Sequence, residues 1–193
     1  MAWTSPRTWV VGEVVTAALM NTHVRDDLLA LYPDLATSLP GSPYNDKFAT
    51  LTDSLTAPTY TWTFRYISAK ASNKWQYVGG THLASVKQTL SQANITTYRY
   101  TSTLITVPRT GLYDVTLQAR DTVGGGANAL YTVGVNGAAD DTYAVQGIAA
   151  FYYTARRSFT AADALSIAYR VRTGSIAATA TDIEMRLVPV EVT

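Results

Sequence analysis

Cysteine is absent from this 193-residue chain. That excludes a disulfide framework, a thiolate metal site and a cysteine nucleophile, and it fits a reducing compartment. Histidine is almost absent as well. His23 and His82 are the only two, and neither has a partner at metal-ligand spacing, so no zinc-type cluster is expected. Charge is scarce: Asp, Glu, Lys and Arg make up 15% of the chain, below the usual quarter or so. With 15 basic and 14 acidic side chains, no field of one sign is available for nucleic acid. No run of apolar residues is long enough for membrane insertion. The N-terminus lacks the basic-then-apolar export pattern, and without it the acceptor-like Asn94-Ile95-Thr96 reads as chance.

Catalytic signatures are missing too. There is no Gly-x-Ser-x-Gly elbow and no Asp-x-Asp-x-Asp-Gly calcium loop. Gly124-Gly125-Gly126 lacks the Lys-Ser/Thr of a phosphate loop. Asp26-Asp27 and Asp140-Asp141 are paired only in sequence. Glycoside cleavage needs two carboxyls about 5–10 Å apart across a cleft, and adjacent side chains point different ways. The first pair reads as salt-bridge material on a helix and the second as a solvated loop. The expectation is a protein that is no enzyme and takes no metal or cofactor.

In place of charge the chain carries 13 Tyr, with abundant Thr, Ala and Val. Such a mixture favours strands, and its charge depletion suits extensive protein–protein contact. Three regions are expected: an arm and helix over 1–35, a linker over 36–60, and a head domain over 61–193. In the arm, Trp3, Pro6 and Trp9 stand in an extended segment. The two tryptophans cannot cover one another in a helix or a strand, so they need a surface supplied from elsewhere. Thr16 is placed to cap a helix. From there Met20, Val24, Leu28, Leu31 and Leu35 recur at helical spacing, and Pro33 ends the regular helix near Tyr32. About four turns is marginal alone. The stripe therefore packs on its own domain or, as we favour, in a short bundle about a symmetry axis. His23, beside Arg25 and Asp26, reads as a surface or interface residue. Pro40, Gly41, Pro43 and Pro58 mark the linker.

From Trp62 onward the period falls to two. Tyr113, Val115 and Leu117 alternate with Asp114, Thr116 and Gln118. The same holds for Tyr131, Val133 and Val135 ahead of an Asn136-Gly137 turn, for Leu165, Ile167, Tyr169 and Val171, and for Ile183, Met185 and Leu187. Further strands are expected around 74–79, 84–90, 97–107, 142–149 and 151–159. Half-buried strands in succession imply a mainly β protein, an antiparallel jelly-roll sandwich. Within it, Phe151-Tyr152-Tyr153-Thr154-Ala155-Arg156-Arg157 packs three aromatics and two arginines into one strand. Alternation sets Phe151 and Tyr153 against Tyr152, and one side must be core. Tyr152, Tyr153, Arg156 and Arg157 are the candidates for ligand or subunit contact.

Two resemblances extend this reading. The order Trp3-x-x-Pro6-x-x-Trp9, Gly12-Glu13-Val14-Val15-Thr16-Ala17, then Leu19-x-Asn21-Thr22-x-Val24-Arg25-Asp26-Asp27-Leu28 resembles the N-terminal segment of many tailed-bacteriophage tail and fibre proteins. Leu104–Val115, Val133–Gly137, Phe159–Ile167 and the closing strand Ile183–Val192 are similar, in that order, to the C1q/TNF-like jelly roll. Trp75–Gly80 looks like its first strand in phage versions, and Ala162 stands where that family usually has glycine. The resemblances imply a homotrimeric virion structural protein, a tail fibre, tail tip or head-surface spike. They imply anchoring to other phage structural proteins through Trp3, Pro6, Trp9, Val24, Arg25, Asp26 and Leu28. A host-surface glycan is the implied ligand of the head; the alternative is a capsid decoration protein that binds no receptor.

Overall fold

The computed structural model describes residues 8, 10–21, 35–36, 38–41, 43–54, 56–84, 88–92, 97–121, 129–140, 145–147, 150–171 and 178–193. The chain divides into two compact units, Met1–Thr81 and His82–Thr193.

In the first unit, α1 (Ala17–Met20) begins where Thr16 Oγ1 accepts a hydrogen bond from the Leu19 N–H at 3.2 Å, the expected cap. The rest of the expected helix, with Val24, Leu28 and Leu31, lies outside the described residues. Leu35 is not part of a helical stripe: it opens β1 (Leu35–Ala36), which runs parallel to β2 (Phe48–Thr52). β2 pairs antiparallel with β3 (Thr61–Tyr66), and β3 with β4 (Trp75–Gly80). The region expected to be a linker thus contributes a strand. Its signal is a five-residue stretch in which every residue but Phe48 is buried, too short to stand out among prolines that bound turns instead of marking a flexible tether. The β2–β3 connection is closed by Asp53, whose carboxylate accepts from the backbone N–H of Thr59 at 2.9 Å and from the Thr59 hydroxyl.

Aromatic side chains hold this small sheet together. Trp62 and Phe64 are fully buried and meet edge to face at 6.2 Å. Tyr60 lies 4.4 Å from Trp62, and Tyr66 meets Trp75 at 5.2 Å. The indole N–H of Trp62 donates to the Thr81 carbonyl at 2.6 Å, so the largest buried ring leaves no polar group unsatisfied.

The second unit is an antiparallel jelly-roll sandwich, as the alternation implies. One sheet runs β15 (Ala178–Val192), β9 (Gly111–Asp121), β13 (Ala150–Phe159), with β5 (Leu83–Ala84) and β6 (Gln88–Gln92) also on β15. The other is centred on β10 (Ala129–Val135) and β14 (Ala164–Val171). On it, β11 (Ala138–Ala139) and β12 (Val145–Gly147) pair with β10, while β7 (Arg99–Tyr100) and β8 (Ile105–Thr106) pair with β14. Sequence neighbours are therefore split between sheets, the mark of a jelly roll.

Its core is built from the inward residues of each alternating strand. Tyr113, Val115 and Leu117, then Ile183, Met185 and Leu187, then Tyr131 and Val133, then Leu165 and Ile167 are all buried. Each contributes roughly 1.5–3 kcal/mol of apolar burial. β10 and β14 depart from strict alternation, since Thr132, Ser166 and Ala168 are buried too. Thr132 meets that cost by donating its hydroxyl to the Asp140 carbonyl at 2.7 Å.

Turn chemistry sets the register. Asn136 and Gly137 both have positive φ, 51° and 78°, and they join Val135 to its partner Ala138, the two-residue hairpin expected of Asn-Gly. Ala162 has φ of 72°, a left-handed conformation that favours glycine. Asp163 ties these two turns together, accepting from the Thr160 N–H at 2.7 Å and from the Asn136 side chain at 2.8 Å.

Candidate functional site

β13 carries the aromatic and arginine segment, and pleating divides it between two faces. Tyr153, Ala155 and Arg157 lie opposite Leu117, Val115 and Tyr113 of β9, on the core side. Tyr153 is half-buried. The Arg157 side chain is only 10% exposed; it pairs with Asp140 at 3.0 Å and sits over the Phe159 ring at 5.5 Å. Asp140 is thus a partner within the fold, not part of a solvated acidic pair.

Tyr152, Thr154 and Arg156 point the other way and are exposed. They lie across from Gln118, Thr116 and Asp114 of β9. Gln118 and Thr116 in turn lie across from Glu184 and Arg186 of β15. Three neighbouring strands therefore present one continuous polar face with a single aromatic ring on it.

That face is internally connected. The Arg156 guanidinium grips the Asp114 carboxylate with two bonds, Nε to Oδ1 at 2.9 Å and Nη2 to Oδ2 at 3.1 Å. Glu184 accepts from Gln118 Nε2 at 2.5 Å and from Arg186 Nε at 2.5 Å. Thr116 and Thr154 share a hydroxyl–hydroxyl bond at 3.0 Å. The Asp114 bonds raise the pKa of Arg156, and those of Glu184 raise that of Arg186, so both cations are fixed in charge and in direction.

Tyr152 is 72% exposed. Its hydroxyl bonds to Thr154, and also to Thr116; these bonds, with the charge of Arg186 nearby, hold it below the usual phenol pKa. Thr154 stands two residues along the same strand, about 6.8 Å away.

Of the candidates named from sequence, Tyr152 and Arg156 share this outer face; Tyr153 and Arg157 do not. Gln118, Glu184 and Arg186 were not singled out beforehand. Alternation marks them as outward, but only the strand order reveals that they flank Tyr152. The anchor candidates Trp3, Pro6, Trp9, Val24, Arg25, Asp26 and Leu28, with His23, lie outside the described residues. Close to them in sequence, Val10, Val11, Val14, Val15 and Met20 are exposed, Val11 completely. His82 is exposed. Among the described residues no group of three or more His, Cys, Asp or Glu could hold a metal ion. No helix there is long and apolar enough to cross a membrane.

No family model matches the chain, and no curated protein matches it. Among solved structures it is similar to the CBM22-1 xylan-binding domain from Paenibacillus barcinonensis Xyn10C. Identity is 10%, with 75% of this chain and 82% of that chain covered and a TM-score of 0.32. An overlap this loose carries nothing about what this chain binds.

Proposed function

We propose that this chain is a virion structural protein of a tailed bacteriophage, a homotrimer held to the particle by its N-terminal segment and presenting a jelly-roll head that binds a glycan of the host surface. The observation that carries the binding part is the outer face of β13, β9 and β15. Its one described ring, Tyr152, is exposed, and the groups around it are hydrogen-bonding side chains held by one another. An exposed ring with ordered polar neighbours offers stacking and directional bonds together, the combination a polyhydroxylated ligand uses.

The anchoring part rests on the phage-like order of Trp3 to Leu28. It is supported by the exposed side chains of Val10, Val11, Val14, Val15 and Met20. Five large apolar groups within eleven residues of sequence are costly to leave in water and are what an interface would cover. Threefold repetition of the head would raise a weak single-site affinity through effective concentration. Other structural proteins of the particle are the partners of the N-terminal segment.

An antiserum raised against the purified chain tests this reading. It is expected to label intact particles and to slow their adsorption to host cells. Particles that neither bind the antibody nor contain the chain would refute it.

A further inference from the structure

We infer that the face around Tyr152 selects an uncharged polysaccharide, with a sugar ring stacked on Tyr152 and its hydroxyls bonded to Gln118, Asp114 and the two arginines; this rests on the glycan-attachment reading above. The inference comes from how the charges are disposed. Among the described side chains of the face four are ionised, two of each sign, and each is matched to an opposite neighbour. Asp114 holds Arg156 at 2.9 and 3.1 Å, and Glu184 holds Arg186 at 2.5 Å.

A glycan bearing carboxylate or sulfate would have to displace one of these carboxylates from its arginine, or sit beside it at a repulsive distance. It would gain little in exchange, because the Asp114–Arg156 pair is solvent-accessible and screened, and Arg186 is already neutralised by the largely buried Glu184. A neutral polyol meets no such obstacle. A guanidinium has five N–H donors, and the Asp114 pair uses two from Arg156. Carboxylate oxygens keep further lone pairs for hydroxyl donors. The ion pairs therefore act as oriented hydrogen-bonding groups with no net field, which discriminates by hydroxyl position more than by charge.

The ring supplies the apolar half of the contact. Tyr152 is 72% exposed, and a tyrosine ring has only two side-chain torsions to fix on binding. From β13 to β15 the face spans two strand spacings, about 10 Å, enough for more than a single sugar unit. The Tyr152 contact and the Arg186 contact can thus be made by neighbouring units of one polymer.

The test uses the full chain, fluorescently labelled, on an array of neutral oligosaccharides and matched uronate-bearing, sialylated and sulfated ones, beside adsorption to host cells. The inference predicts binding to neutral glycans that changes little between low and high salt. Tyr152→Ala should weaken it about tenfold or more, as loss of a central aromatic contact does, and Tyr152→Phe should weaken it far less. Asp114→Asn frees Arg156 without changing side-chain shape and should add salt-sensitive binding to acidic glycans. Preference of the unaltered chain for acidic glycans, abolished by salt, would overturn the neutral-ligand inference and leave glycan attachment standing. Adsorption to cells that requires Tyr152 while no glycan binds would also overturn it, and would point to a protein receptor. Cell adsorption unchanged by Tyr152→Ala would overturn both the inference and the assignment of this face.

Discussion

Single residues carry both the clearest strain in the molecule and its clearest surface feature. Ala162 adopts φ of 72°, where a Cβ is disfavoured by about 1–2 kcal/mol. Ala162→Gly should therefore raise stability despite the added freedom of the unfolded chain, by up to about 1 kcal/mol, read as a higher urea midpoint with an unchanged slope. The position was visible beforehand, because the C1q/TNF-like pattern usually has glycine there; the conformation that explains the preference was not. Gly111 is the opposite case. A Cβ on it would lie 2.3 Å from the Glu191 carbonyl oxygen, against backbone that cannot step aside, so Gly111→Ala should lower the midpoint by more than about 2 kcal/mol. Tyr152 could be placed on the outward side of its strand from alternation alone. That Thr116, 36 positions away in sequence, stands on the neighbouring strand of the same face follows only from strand pairing.

Elements show what periodicity can and cannot deliver. Strands β9 and β15 were legible because every second residue is apolar and faces the core, and β14 because its large apolar residues alternate in sequence, although Ser166 and Ala168 between them are buried as well. β13 was legible as a strand, yet its two arginines look equivalent in sequence and are not. Arg157 points inward and is paired with Asp140 at 3.0 Å, whereas Arg156 is paired with Asp114 in water. Arg157→Ala should thus destabilise the head by about 2 kcal/mol, through lost packing and a charge-assisted bond. Arg156→Ala should leave the thermal midpoint nearly unchanged, as exposed pairs generally do. Equal losses from the two substitutions would mean that the faces have been assigned wrongly. The expected linker hid β2 for a different reason. Five residues buried at four positions, two of them threonine, show no clean alternation and are a weak signal beside prolines; the strand exists because β3 offers it a partner.

At the scale of the whole molecule, the jelly roll follows from alternating strands and turn chemistry, and the polar face proposed to bind glycan from the order in which those strands assemble. Where the compact unit ends, at Thr81, was not legible. The aromatic cluster of Tyr60, Trp62, Phe64 and Trp75 reads in sequence as the start of the head, yet it organises a sheet with β2. Association is the remaining property. Light scattering of the purified chain should give three times the 20.9 kDa protomer mass if the proposed trimer forms without the particle. The account centres on an N-terminal segment that fastens the chain to a virion while the head stays free to bind. The most direct test is the copy number of the chain in purified particles after Trp3→Ala and Trp9→Ala are combined. The account predicts a protein whose circular dichroism spectrum is unchanged and which is lost from the particles. A double variant incorporated at the normal copy number would contradict it.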